Sequence, residues 1–179
     1  KIIENIIKEF KNEIFFINTK NNLKKSFNSK KKIFLCLHDK MIKKTSYILN
    51  FKDNFNLLSN SCFNLNCPGV VMPLCHHMIE GMKVGSIPIT NCDKLVHPNL
   101  NDQNSLQYSN IDQLIEKFYE ALVMPEEKII LMRKNVLNYY NLNLSPENFR
   151  KNFLQMISNK KQKLICCDDH RSVGNIVKK

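Results

Sequence analysis

The sequence predicts an α/β domain in which a parallel sheet is flanked by helices. Short apolar runs alternate with helical patterns in the first half of the chain, and three further helical patterns close the second half. Between them, residues 62–90 follow the order strand, tight turn, helix, glycine, strand. This alternation is typical of parallel strands joined by crossover helices, and we expect the C-terminal helices to pack across the sheet.

Length and composition are those of one globular domain. The chain has 179 residues, of which 43% are hydrophobic and 9% aromatic, enough for a substantial core. We expect the α/β domain to span residues 1–158. Residues 159–179 lose helical periodicity and are expected to form a basic, loosely ordered tail. The chain begins with Lys1 rather than Met, which is consistent with a fragment or a processed product.

The charge pattern argues against a dedicated nucleic-acid site. The net charge is +11, but residues 1–60 carry +8, residues 61–122 carry −3 and residues 123–179 carry +6. The basic residues are not interleaved with aromatic residues in any known RNA- or DNA-binding signature, so we expect a solvated basic surface. A basic nucleic-acid-binding domain remains the least favoured alternative. Its binding would depend steeply on salt and map to lysines of residues 20–44.

Cysteine content and hydropathy bear on the compartment. Seven unevenly spaced cysteines suit reduced thiols better than a disulfide framework, which favours a cytoplasmic protein. No apolar run is long enough to span a bilayer, and the charged start is unlike a signal peptide. The lumenal side of the Golgi or the endoplasmic reticulum is the alternative, if a membrane anchor precedes this chain.

The first half predicts short elements separated by polar residues. Hydrophobic periodicity predicts one clear helix, and apolar runs predict three strands. The helix is Ile2–Phe10, the strands are Ile14–Asn18, Ile33–Leu37 and Thr45–Leu49, and the segment Thr19–Phe27 is a short polar helix or a loop. A further short helix, Asn54–Ser59, is predicted with Asp53 as its N-terminal cap.

The second half predicts helices after an irregular polar stretch, Asn91–Ser109. A helix over Asn110–Val123 is predicted to begin with a capping box formed by Ser109 and Asp112. A second helix begins at Pro125 and runs to about Asn141. The third begins at Ser145-Pro146-Glu147, with three residues expected to face inward: Phe149, Phe153 and Ile157.

The central stretch places ionisable side chains on a helix that leaves a strand-end loop. A strand, Cys62–Asn66, is followed by the Pro68-Gly69 turn and a helix over Pro73–Val84. Gly85 is expected to end this helix in a left-handed conformation, before the strand Ile87–Ile89. Helical spacing divides its side chains into an apolar face, formed by Cys75, Met78, Ile79 and Met82, and an ionisable face, formed by His76, His77 and Glu80.

This arrangement predicts a site for a phosphorylated ligand. Glu80 could accept hydrogen bonds from the vicinal hydroxyls of a ribose. His76 or His77, together with backbone N–H groups of residues 69–74, could donate hydrogen bonds to a diphosphate near the helix N-terminus. A plain surface helix with an exposed acid and two histidines is an equally good interpretation of these three residues alone. The histidine, cysteine and glutamate spacings fit no structural zinc pattern, so no metal is expected.

The motif order also resembles a known enzyme family. Cys67-Pro68-Gly69, then a helix carrying Glu80, then Gly85-Ser86-Ile87-Pro88-Ile89 is similar to the C-terminal half of exostosin-like glycosyltransferases of the GT-B class. The resemblance covers residues 51–153 and is sharpest over residues 62–90. In this chain the family's serine, arginine and alanine are replaced by Cys75, His77 and Gly81. The change to His77 keeps a hydrogen-bond donor but gives up the permanent charge and fork geometry of arginine.

The resemblance implies a Rossmann-like, donor-binding domain of a glycosyltransferase that acts without a metal or other cofactor. A nucleotide-sugar would be held by Gly69, Val70, His76, His77, Glu80 and Asn91, the last lying in the loop after Ile89. Which residue is catalytic stays open, with His76 and His77 as candidates. The implied partners are a carbohydrate or other acceptor and an N-terminal acceptor domain, with no specific nucleic acid. The alternative is a non-catalytic module that binds nucleotide or glycan.

Overall fold

The chain forms a mixed α/β structure of short parallel strands flanked by helices, as predicted. A computed structural model describes residues 2–36, 49–66 and 76–158. In order, its elements are α1 (Ile2–Glu9), β1 (Ile14–Phe16), α2 (Lys20–Ser26), β2 (Ile33–Leu35), α3 (Phe51–Ser59), β3 (Phe63–Leu65), α4 (His76–Lys83), β4 (Ile87–Thr90), a 3₁₀ turn (Asp93–Leu95), β5 (Leu106–Gln107), α5 (Ile111–Val123), α6 (Glu126–Tyr139), a π-helical turn (Tyr140–Leu144) and α7 (Pro146–Ser158). No helix within these ranges is long and apolar enough to cross a membrane.

Some predicted segments lie outside the described residues. These are the end of the second predicted strand at Leu37, residues 45–48 of the predicted strand Thr45–Leu49, residues 73–75 of the central helix and the tail of residues 159–179. The segment Thr19–Phe27, predicted as helix or loop, is helical as α2. Its cap is Thr19, whose hydroxyl oxygen accepts a hydrogen bond from the Asn22 backbone N–H at 3.1 Å.

The described strands form two parallel sheets rather than the single sheet expected. β1 pairs with β2, and β4 lies between β3 and β5. The strand β5 falls inside the stretch Asn91–Ser109, which was predicted to be irregular. The strand is only two residues long, too short for an apolar pattern to predict it. It forms because it pairs with β4.

Strand β4 is buried along its whole length although it contains a proline. Ile87 and Ile89 make their backbone hydrogen bonds with β3, so the intervening Pro88 faces the β5 side. The strand β5 begins with Leu106 opposite Ile89, one residue beyond Pro88. The backbone nitrogen of Pro88 therefore faces a position before the first residue of β5. No hydrogen bond between β4 and β5 is lost because proline lacks an N–H group.

Helices cover the second sheet and form the main core. On α4, Met78 and Met82 are buried, as predicted, and α6 packs against both α4 and β4. The buried side chains come from most of the elements, chiefly Ile6, Phe10, Met78, Met82, Ile87, Ile89, Leu114, Phe118, Met132 and Val136. The expectation that C-terminal helices pack across the sheet therefore holds for α6, whose buried face contributes Met132 and Val136.

The inward orientation predicted for α7 is wrong for Phe149. This side chain is 63% exposed, and its ring stacks on Phe153 with centroids 6.1 Å apart. The helix follows the π-helical turn and packs against that turn, so its first turns lie beyond the main core. Phe153 is half-buried, and the side chain of Ile157 is outside the described part of the chain.

The capping box predicted at the start of α5 is replaced by a related pair of hydrogen bonds around Asn110. Asn110 is the cap, and its side-chain oxygen accepts a hydrogen bond from the Gln113 backbone N–H at 2.9 Å. The Gln113 side-chain oxygen accepts in turn from the Ser109 backbone N–H at 2.8 Å. Asparagine caps at least as well as serine, and glutamine is a better reciprocal partner than Asp112, so the structure uses the stronger pair.

Gly85 ends α4 in the predicted left-handed conformation, with a φ angle of +75°. The Gly85 N–H donates to the Met82 carbonyl at 3.1 Å, and the Ser86 N–H donates to the Gly81 carbonyl at 2.9 Å. This pair of hydrogen bonds is a Schellman motif, which satisfies the last carbonyl groups of the helix. A β-carbon at Gly85 would also lie only 3.1 Å from Cγ of Leu137 on α6.

Replacing Gly85 by alanine is therefore expected to lower the free energy of unfolding by about 1–2 kcal/mol, because a left-handed φ angle strains any residue with a β-carbon. Urea unfolding monitored by circular dichroism measures the change. Gly85→Asn is the comparison variant, because asparagine also has a β-carbon near Leu137 but tolerates a left-handed φ angle better than alanine. A smaller loss of stability in Gly85→Asn than in Gly85→Ala therefore identifies backbone strain as the cause. An unfolding free energy equal to that of the wild type in Gly85→Ala would contradict the strain argument.

Candidate functional site

The predicted ionisable face of α4 lies on the outside of the domain. The helix lies between β3 and β4 in the chain, and its C-terminal end leads directly into the amino end of β4. Its N-terminal half therefore lies toward the carboxyl ends of the strands, where open α/β sheets bind ligands. His76 and His77 are exposed, and the Glu80 side chain is 26% exposed.

His76, His77 and Glu80 come together as one cluster. His77 Nδ1 lies 3.3 Å from Glu80 Oε2, and the rings of His76 and His77 have centroids 4.3 Å apart. The nitrogen and oxygen atoms that could ligate a metal all lie within 4.8 Å of one another. Two imidazoles and a carboxylate could in principle accept a transition metal, but the contact between His77 and Glu80 already accounts for the cluster. The expectation of no bound metal stays a prediction.

Asn54 on α3 is a member of this site that the sequence interpretation missed. Its Nδ2 donates a hydrogen bond to Glu80 Oε2 at 3.3 Å. The helix α3 begins at Phe51, because Asn50 and not Asp53 is its cap; the Asn50 side-chain oxygen accepts from the Asp53 N–H at 2.8 Å. The helix therefore begins three residues earlier than predicted. Asparagine and aspartate cap about equally well, so the sequence did not distinguish Asn50 from Asp53, and no signal in it linked Asn54 to Glu80.

An aromatic pair lies on the same side of α3 as Asn54. Phe51 and Phe55 stack with ring centroids 5.6 Å apart and planes at 29°, and Phe51 is 72% exposed. Lys83 Nζ, from α4, lies 5.6 Å from the centroid of the Phe55 ring. Residues of α3 and α4 therefore form one surface between the two helices, which we call the α3–α4 groove and which includes the Glu80 carboxylate and the exposed Phe51 ring.

The close approach of α4 to the sheet depends on a glycine. A β-carbon at Gly81 would lie 2.8–2.9 Å from the side-chain atoms of Asn64 on β3. Asn64 is buried, and its Nδ2 donates to the His77 carbonyl at 3.5 Å, while its Oδ1 has no partner among the described residues. Glycine at this position therefore leaves room for the Asn64 side chain beneath the helix.

The other predicted donor-binding residues are Gly69, Val70 and Asn91. Gly69 and Val70 lie outside the described residues, as does Cys75. Asn91 is exposed and directly follows β4, and its side-chain oxygen accepts a hydrogen bond from Cys92 Sγ at 3.3 Å. That contact is within its own loop, so the structure brings together three of the six predicted donor-binding residues.

A separate apolar cavity lies between the two sheets. Its volume is about 550 Å³, and its walls are formed by residues such as Ile6, Ile33, Leu35, Phe63, Leu65 and Leu122. None of the side chains of the His76, His77 and Glu80 cluster contributes to these walls. The cavity therefore belongs to the packing between the sheets and not to the α3–α4 groove.

No family model, no curated protein and no solved structure matches this chain. The resemblance to exostosin-like glycosyltransferases therefore rests on the sequence motifs of residues 51–153 alone, which are sharpest over residues 62–90. It stays a prediction.

Proposed function

We propose that the chain is the nucleotide-sugar donor-binding domain of a glycosyltransferase, acting together with an N-terminal acceptor domain. The observation that supports this most directly is the position of Glu80. Its carboxylate lies on the side of α4 that contacts α3, and Asn54 and His77 both contact the same oxygen, Oε2. A carboxylate oriented in this way is suited to accept hydrogen bonds from a ribose diol.

The two histidines would serve the diphosphate. In glycosyl transfer the bond between the anomeric carbon and the diphosphate oxygen breaks, so negative charge develops on the leaving nucleoside diphosphate. Imidazole N–H groups and the N-terminus of α4 can stabilise this charge. His76 and His77 are exposed at the start of α4, within one turn of Glu80. In this proposal no metal takes part, and the sugar passes to a carbohydrate or other acceptor.

Isothermal titration with UDP, GDP, ADP and CDP tests the proposal. We expect at least one of these to bind, and Glu80→Gln to weaken that binding about 10- to 100-fold. This factor corresponds to the loss of a hydrogen bond to a charged group, roughly 1.5–3 kcal/mol. Glu116→Gln, an exposed glutamate on α5, is the matched control and should bind like the wild type.

Two results would count against the proposal. One is that the wild-type chain binds none of the four nucleoside diphosphates. The other is that a nucleotide binds equally well to the wild type and to Glu80→Gln, which would place its site away from the α3–α4 groove. Circular dichroism spectra of both variants should match that of the wild type, so that a loss of binding is not a loss of folding.

A further inference from the structure

We propose that Phe51 is the stacking surface for the nucleobase of the bound nucleotide-sugar. This inference rests on the proposed function and adds a binding element to it. No sequence motif pointed to Phe51. Its ring is exposed, and it lies on α3 three residues before Asn54, which donates a hydrogen bond to Glu80.

The ring of Phe51 is both exposed and held in a defined orientation. Phe55 stacks against it at a centroid distance of 5.6 Å, and 72% of the Phe51 surface remains open. The half-buried Phe55 also has the Lys83 ammonium group near its ring, so Phe51 presents the open aromatic surface of the pair. A pre-oriented aromatic ring binds a flat partner at a low cost in side-chain entropy.

The distance along α3 suits a nucleoside. Phe51 and Asn54 are three residues apart and so lie on the same side of the helix, slightly less than one turn or ~4.5 Å along its axis. Asn54 donates to Glu80, which is the carboxylate proposed to hold the ribose diol. In a nucleoside, one ribose ring separates the diol from the base. A ribose bound at Glu80 therefore has Phe51 within reach of its base.

A nucleobase fits this surface better than the diphosphate does. The phosphate oxygens carry negative charge and would face the electron-rich surface of the phenyl ring, whereas every base offers a flat π-face. The diphosphate has the N-terminus of α4 and the two histidines on the other side of the groove. The nucleotide would therefore lie across the groove, with its base over α3 and its phosphates at α4.

The absence of tryptophan from the chain allows a direct test. Phe51→Trp introduces a single tryptophan, and its fluorescence should be quenched on titration with UDP or GDP and not with ribose 5-phosphate. Phe51→Ala should weaken UDP or GDP binding about tenfold, the loss expected for base–aromatic stacking, and leave ribose 5-phosphate binding unchanged. Phe149→Ala is the matched control, because Phe149 is also exposed and stacked within its helix, on Phe153.

The outcomes separate this inference from the proposed function. If Glu80→Gln loses nucleotide binding while Phe51→Ala binds like the wild type, the stacking inference is overturned and the donor site stands. If Phe51→Ala weakens ribose 5-phosphate as much as UDP, the ring contacts the sugar or supports the fold, and the inference is again overturned. If the wild type binds no nucleotide, the proposed function fails and the inference fails with it.

Discussion

Replacing Gly81 by alanine is expected to lower the free energy of unfolding by about 1–3 kcal/mol, the usual cost of overpacking a buried contact. The added methyl group would lie 2.8–2.9 Å from the Asn64 side chain, closer than carbon atoms can pack. Asn64 is short and buried between α4 and the sheet, so it has little room to move aside. Alanine would otherwise favour the helix by up to about 1 kcal/mol, so destabilisation would show that the contact outweighs helix propensity.

The control for this prediction is a double-mutant cycle. Asn64→Ala removes the obstructing side chain, and its own cost should be small because Oδ1 has no partner among the described residues and the Nδ2 contact is long. In the Asn64→Ala background, Gly81→Ala should be neutral or stabilising when urea unfolding is measured. An equal loss of stability in both backgrounds would mean that the two residues are not coupled.

Replacing Met82 by alanine is expected to have the largest effect on stability, about 2–5 kcal/mol. Met82 is 0% exposed and belongs to the core where α4 packs on β4 and α6. Truncating the Met82 side chain would leave a cavity in a region that includes the fully buried Ile87 and Val136. Ile87 is held in place by β4 and Val136 by α6. Thermal and urea unfolding give the change in free energy.

Met82→Leu provides the comparison, because it nearly conserves volume and should cost less than about 1.5 kcal/mol. A loss in Met82→Ala no larger than that in Met82→Leu would mean that the neighbouring side chains close the cavity, and that α4 is packed less tightly than the structure indicates. The ionisable face of α4 is unchanged in both variants, so nucleotide binding by the folded protein should persist.

The elements that hydrophobic periodicity defines well were predicted close to their observed bounds. The helices α1 and α5 and the strand β4 carry apolar patterns that each element buries against the core, while the start of α6 was predicted from Pro125 and the two glutamates that follow it. The left-handed end of α4 was also predictable, because glycine adopts a positive φ angle with little strain. The division of α4 into a buried face and an ionisable face follows from the same 3.6-residue period.

The features that the sequence did not reveal depend on contacts between distant residues. The strand β5 exists because it pairs with β4, and the partner of Glu80 is Asn54, which lies 26 residues earlier. Cap positions were displaced by one to three residues because several neighbouring asparagine, aspartate and serine residues could each serve. The separation into two sheets depends on whether β2 and β3 meet, which no local pattern encodes.

The presence of two sheets has a consequence for local unfolding. Among the described strands, backbone hydrogen bonds join β1 to β2, β3 to β4, and β4 to β5. No such bonds join the two sheets in the described part of the chain, and the 550 Å³ cavity lies between them. Regions with fewer buried contacts open at a lower free energy than the core. The first sheet can therefore open while β4, buried along its length, stays closed. The α3–α4 groove lies beside the second sheet, so opening of the first sheet would leave the proposed ligand site assembled.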